Sequence, residues 1–268
     1  MSRIRTLVEK EWCKALRNGL MAFTAAVLFL VFTGLPLVSL ATLRYVGDGA
    51  RGEAELLRGL PPAIRHHPAY AGLGAAEVVQ AHFGGHFVLF FLVFPALLPG
   101  MLTSFSIVGE KRERSLEPLL ATPITTAELL VGKAAAAVIP AVLLGYASFA
   151  AYAVGATLLA VSPRVVGALL SPPRVLAIGL VGPLLALVSA LGGLVVSSRV
   201  NDPRAAQSVT GLLVLPVIGL FAAQVTGLIT VNVGLVVAAA LGAAGLDAVL
   251  LYAAVKLFQR ETILARWR

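Results

Sequence analysis

Charge is scarce in this 268-residue sequence: Asp, Glu, Lys and Arg supply 13% of it, whereas a water-soluble domain carries roughly 25%. With 59% of its residues apolar, the chain cannot solvate a globular surface and is read as an integral membrane protein. Its one cysteine, Cys13, excludes an internal disulfide framework and a cysteine-based zinc cluster. A soluble domain is missing too. The longest hydrophilic stretch, Arg44 to His86, is far shorter than the ~100 to 150 residues such a domain takes, so a nucleotide-hydrolysing domain must come from another chain. The phosphate-cradling Walker A pattern is absent, because Gly132-Lys133 is followed by Ala134 and has no glycine at the required distance before it. The apolar segments hold no histidine and a single acid, Asp247, which leaves no nucleophile and base, aspartate pair or zinc motif for an intramembrane hydrolase. The chain is therefore read as no enzyme.

A bilayer core about 30 Å thick needs roughly 20 apolar helical residues. Six apolar runs reach that length, uncharged apart from Asp247 in the last: 20–43, 87–108, 134–161, 175–198, 208–231 and 234–255, the last two separated by a tight turn near Asn232. The expected fold is all-α, with six transmembrane helices over 20–255, an interfacial segment at 1–19 and a cytoplasmic tail at 256–268. The formal net charge of +8 comes from basic residues placed at the ends of apolar runs, where they act as topology signals instead of forming a nucleic-acid patch. Fifteen Lys and Arg fall on one side of the predicted membrane and six in the opposite loops, 44–86 and 162–174. The richer side is taken as cytoplasmic, which puts both termini inside.

Between Ser2 and Arg17, Ile4, Leu7, Val8, Trp12, Ala15 and Leu16 share one helical face and Arg3, Arg5, Glu9, Lys10, Lys14 and Arg17 the other. This predicts an amphipathic helix in the cytoplasmic interface with Trp12 at headgroup depth. Prolines at 36, 95, 99, 140, 183 and 216 interrupt the spans, and each leaves a backbone carbonyl that must find a partner within the bundle. His66, His67, His82 and His86 fall in the outer loop 44–86. His82 and His86 have the spacing for a shared metal, but Gly84 and Gly85 weaken the helix that sharing requires, so solvated loop histidines and no metal site are expected. Asp247 carries two readings: a proton or cation site, or a carboxylate that meets water or another polar group between helices.

The loop 109–133 is the most informative segment. Ser115 caps a short predicted helix, Ser115 to Leu120, whose Leu116, Leu119 and Leu120 lie on one face at i, i+3, i+4. Thr122-Pro123 ends it, and Thr125 with Glu128 forms a capping box that starts the next helix. Three leucines that a polar loop cannot bury suit a groove in a soluble partner.

From Glu110-Lys-Arg-Glu-Arg-Ser-Leu-Glu-Pro-Leu-Leu-Ala-Thr-Pro to Glu128-Leu-Leu-Val-Gly-Lys133, this loop resembles the cytoplasmic loop of type-two ATP-binding-cassette permeases. Ser198-Arg-Val-Asn-Asp-Pro-Arg-Ala-Ala-Gln207 is similar to the stretch these permeases carry between their fourth and fifth spans. The resemblance implies an export permease that binds no cofactor itself and lines the translocation pathway, with ATP and Mg held by a separate ATPase. It implies that Ser115 to Leu120 is the coupling helix, that Glu110, Glu113 and Glu117 frame its contact, and that Thr122, Pro123, Glu128 and Lys133 shape the return. Arg199, Asn201, Asp202, Arg204 and Gln207 would form or support a second cytoplasmic contact. A second permease chain, membrane lipid and a bacterial or archaeal cell membrane complete the implied setting. Ser115 and Arg114 stand where the family usually has Thr and Gly. The alternative function is an ion-coupled secondary transporter that uses Asp247.

Overall fold

The computed structural model describes residues 2–17, 19–46, 55, 58–59, 70–112, 125–200, 202–226 and 228–258. Among these residues there is no strand, and six helices are long and apolar enough to cross a membrane. Helix α1 is Ser2–Arg17 and α2, the first span, is Gly19–Val46. Helix α3 (Ala75–Arg112) and α4 (Thr126–Leu159) flank the loop that the sequence singles out. Two short helices, α5 (Pro163–Leu169) and α6 (Pro172–Leu176), lead through a π-turn at Ala177–Val181 into α7 (Gly182–Arg199). Helix α8 (Pro203–Gly211) continues through a 3-10 turn at Leu212–Val214 into α9 (Leu215–Val225), and α10 (Val233–Leu257) is the last span.

Helix α3 is the spine of the bundle, with α2, α4, α7, α8 and α9 all packed on it. Its 38 residues extend about 57 Å at 1.5 Å per residue, almost twice the hydrocarbon thickness. It begins well before the apolar run at 87–108. His82 and His86 are therefore buried helical residues, not solvated loop residues, and Gly84-Gly85 does not break the helix. The reason is tertiary. Gln80 Nε2 donates to the Leu40 and Leu159 carbonyls at 3.1 and 3.0 Å, and Gln80 Oε1 accepts from the Val161 N–H at 2.7 Å, so polar residues on α3 are satisfied by neighbouring helices. Helix α3 runs on to Arg112 and α4 starts at Thr126, so both extend into the stretch 109–133.

Small residues sit where α3 and α7 cross. A Cβ on Gly193 of α7 would come within 2.5 Å of the Gly100 carbonyl oxygen on α3, and one on Gly100 within 2.7 Å of the Ser189 carbonyl. Only glycine allows these backbones to approach so closely, a packing mode common among helices that lack a hydrophobic driving force in lipid. The Gly100 N–H donates across the same seam to Ser189 Oγ at 2.9 Å, and Ser104 Oγ joins α3 to α8, 2.9 Å from Thr210 Oγ1.

The carbonyls left by three of the prolines have identifiable partners. Pro140 cannot donate to the Ala136 carbonyl, and the Trp12 indole N–H of α1 takes it at 2.9 Å. Pro183 cannot donate to the Gly179 carbonyl, which accepts the Tyr146 hydroxyl at 2.9 Å. Near Pro216 the 3-10 turn lets the Leu215 N–H reach the Leu212 carbonyl.

Candidate functional site at the root of the cytoplasmic loop

The sequence brings α4 out of the loop with a helix-start signal that the structure contains in full. Glu128 N–H donates to Thr125 Oγ1 at 3.2 Å and Thr125 N–H to Glu128 Oε2 at 2.8 Å, the reciprocal capping box. Glu128 is thus occupied at the loop's return. Glu113, Ser115, Leu116, Glu117, Leu119, Leu120, Thr122 and Pro123 lie outside the described residues.

One turn beyond the box, Lys133 points into the protein with a fully buried side chain. Its Nζ donates to Glu110 Oε1 at 2.7 Å, Ser106 Oγ at 2.8 Å and Glu11 Oε1 at 3.0 Å. An ammonium has three N–H donors, and all three are used. Ser106 Oγ in turn donates to Glu11 Oε2 at 3.2 Å. The cluster joins three helices: Ser106 and Glu110 end α3, Lys133 begins α4, and Glu11 belongs to α1. Glu110 and Lys133 are therefore a bracket across the root of the loop, and Glu110 is a buried group of that bracket.

Helix α1 is held on this root by more than charge. Leu7 and Val8 are buried, and Leu7 fills the space above Gly132, where a Cβ would collide with its Cδ2. Trp12, read from periodicity as a headgroup anchor, commits its N–H to the carbonyl freed at the Pro140 kink. On the outer face of α1, Arg5 and Glu9 form an exposed i, i+4 pair, and such pairs contribute little. A buried ammonium with two carboxylates is different. Desolvation offsets much of the Coulomb attraction, yet removing one member strands the others and costs about 3 to 5 kcal/mol. The arrangement thus ties α1, α3 and α4 together at the root of the loop.

The segment between α7 and α8 rests on the same end of α3. Asp202 N-caps α8 by accepting the Ala205 N–H at 3.0 Å, and Pro203 occupies the first turn. Arg199 and Arg204 are exposed and Gln207 is half-buried, while Asn201 lies outside the described residues. Ala206 and Thr210 form the buried face of α8, through which Thr210 meets Ser104. The two segments share α3 as a support.

At the opposite end of α3 a separate polar group surrounds His82 and His86. Their rings meet edge to face with centroids 4.4 Å apart. His82 Nδ1 lies 3.3 Å from the Tyr70 hydroxyl, and His86 Nε2 donates to the Gln224 carbonyl at 3.3 Å. Burial pushes the Tyr70 phenol up, against the lowering effect of the Arg174 guanidinium, so it remains a donor at neutral pH. These histidine nitrogens are engaged with protein groups, and no cluster of three or more metal-ligating residues occurs among the described residues. His66 and His67 lie outside them.

Glu11, Ser106 and Trp12 were not singled out from the sequence as parts of this site. One usable signal was Pro140, whose missing donor required a partner for Ala136; nothing local marks Glu11 as the mate of a lysine 122 positions away. No curated protein matches the chain. The family model described as ABC-2 family transporter protein matches residues 5–258, from α1 through the end of α10. The six spanning helices and the match along almost the whole chain place this protein in the ABC-2 transporter family, as a multi-pass permease.

Proposed function

We propose that this chain is the export permease of an ATP-driven transporter whose ATPase, a separate chain, docks on the leucine-faced segment Ser115 to Leu120. Family membership makes the chain a membrane subunit of an ABC transporter and not itself the catalyst. The observation that supports mechanical coupling through the loop is the Lys133 cluster, which fixes both roots of the loop and α1 to one another with four hydrogen bonds. A force applied to residues 113–124 would then move the cytoplasmic ends of α3 and α4 together. Because α2, α7, α8 and α9 pack on α3, that displacement would spread through the bundle and bias it between inward- and outward-facing states.

Two such chains, identical or similar, would complete a twelve-span pathway, with the termini and the loop on the cytoplasmic side of a bacterial or archaeal cell membrane. Thr122 and Pro123 would set the loop's return, and Glu113 and Glu117 would face the ATPase. Arg199, Asn201, Asp202, Arg204 and Gln207 would lie close enough to the membrane surface to support a second contact. The test is to reconstitute the permease with its ATPase and compare the wild type with Leu119→Asp. The wild type should retain the ATPase and stimulate ATP hydrolysis. Leu119→Asp should insert normally and lose both; equal retention and stimulation would reject docking at this segment.

A further inference from the structure

The end of α3 opposite the Lys133 cluster carries two short helices, α5 with seven residues and α6 with five. Helix α5 packs on α3 and α4, and α6 on α10. Each begins at a proline after a serine whose side chain makes no cap bond, unlike the boxed start of α4. Their seat is the Gly84-Gly85 pair of α3. A Cβ on Gly84 would come within 2.7 Å of Leu169 Cδ2 on α5, and one on Gly85 within 2.8 Å of Arg174 Cζ on α6. The two glycines thus let both helices lie against the α3 backbone.

Arg174 ties the parts together. Its Nη1 donates to the Ala168 carbonyl of α5, and its guanidinium is hydrogen-bonded to the Tyr70 hydroxyl, which lies 3.3 Å from His82 Nδ1 of α3. No carboxylate pairs with Arg174 among the described residues. A partly buried cation with only neutral acceptors gives up hydration without gaining a counter-charge, so its seat is weakly favoured over water. The connection onward to α7 is not α-helical. At Ala177–Val181 the Gly182 N–H donates to the Ala177 carbonyl, an i to i+5 bond, and such π-turns are places where a helix bends. Ala177 and Val181 also line an apolar groove of about 320 Å³ between α3, α7, α9 and α10. A swing at this turn would lift α5 and α6 and shift one wall of that groove.

We propose that α5 and α6 form a hinged cap, which turns at Ala177–Val181 and is latched by Arg174 on Gly85. As a gate in a transport cycle, the cap rests on the permease reading given above; as a moving part of this chain, it does not. The experiment therefore uses the purified full chain in nanodiscs without any ATPase, in a Cys13→Ser background. Nitroxides on Gly167→Cys of α5 and Val154→Cys of α4, both exposed positions, report the distance between cap and bundle by double electron–electron resonance. With the latch intact, one short distance should dominate. Gly85→Ala keeps α3 helical, because alanine favours a helix over glycine, but its methyl evicts the flexible guanidinium. Arg174→Met keeps the length of the side chain and removes its donors. Both variants should raise the ratio of long to short distances at least about tenfold, the effect of losing one charge-assisted hydrogen bond. A second pair, Val38→Cys on α2 and Val154→Cys, should keep its distance, which separates a swinging cap from a loosened bundle. An unchanged distribution between positions 167 and 154 in both variants would overturn the proposal, and so would equal broadening between positions 38 and 154. Because the distances are read without the ATPase, their failure leaves the coupling reading untouched, and a failure of ATPase docking leaves the cap standing.

Discussion

Replacing Lys133 by Met keeps the length and apolar stem of the side chain but removes the ammonium that Glu11, Ser106 and Glu110 share. Two buried carboxylates would then face each other without their common donor. The cost of stranding a buried charge is about 3 to 5 kcal/mol. If even 3 kcal/mol of that is relieved by releasing Glu11 with α1, the docking equilibrium of α1 shifts about 150-fold. The molecule carries its own reporter: Cys13 is its only cysteine, it lies on α1 and it is exposed. A nitroxide attached there should show a slow component in the wild type and a large mobile fraction in Lys133→Met. Glu11→Gln alone should mobilise α1 less, because one charge-assisted bond contributes about 1.5 to 3 kcal/mol. In the double variant the losses should fall well short of the sum, since both residues belong to one network. An unchanged Cys13 spectrum in Lys133→Met, or additive effects in the double variant, would refute the joint.

Trp12→Phe should destabilise α1 docking by about 1 kcal/mol by leaving the Ala136 carbonyl unpaired, and Pro140→Ala in the same background should recover part of the loss by restoring a backbone donor; the Cys13 spectrum again reads both. Gly193→Ala should lower the thermal midpoint by forcing α3 and α7 apart, at about 1 to 3 kcal/mol, whereas Gly219→Ala, with open space around the new methyl, should not. Glu128→Ala should cost about 1 kcal/mol by removing half of the capping box, seen as fraying of the first turn of α4 in amide exchange.

The parts of this fold legible in the sequence are those governed by local rules. Six apolar runs of bilayer length mark six helices because the bilayer imposes that length, and Thr125 with Glu128 announces the start of α4 because both partners lie within one turn. Asn232 likewise caps α10 through its own side chain, 2.8 Å from the Leu235 N–H. What stayed hidden depends on distant partners. Gln80 and His86 look like loop residues by polarity, and only the Leu40, Leu159 and Gln224 carbonyls make them helical and buried. Trp12 fits an interfacial belt by type, and its actual bond depends on a kink 124 residues later. The Lys133 cluster was half visible: the resemblance drew attention to Glu110 and Lys133, but the third helix enters through Glu11, whose charge also fits a solvated face.

The central claim is that a separate ATPase drives this bundle by gripping residues 113–124 and pulling on a joint that Lys133 makes rigid. ATP hydrolysis by the reconstituted pair tests it most directly, measured for the wild type, Leu119→Asp and Lys133→Met together with the amount of ATPase bound. The account predicts that Leu119→Asp loses the ATPase, while Lys133→Met still binds it but no longer stimulates hydrolysis. Full stimulation in both variants, or cargo movement by the purified chain with no ATPase present, would contradict it.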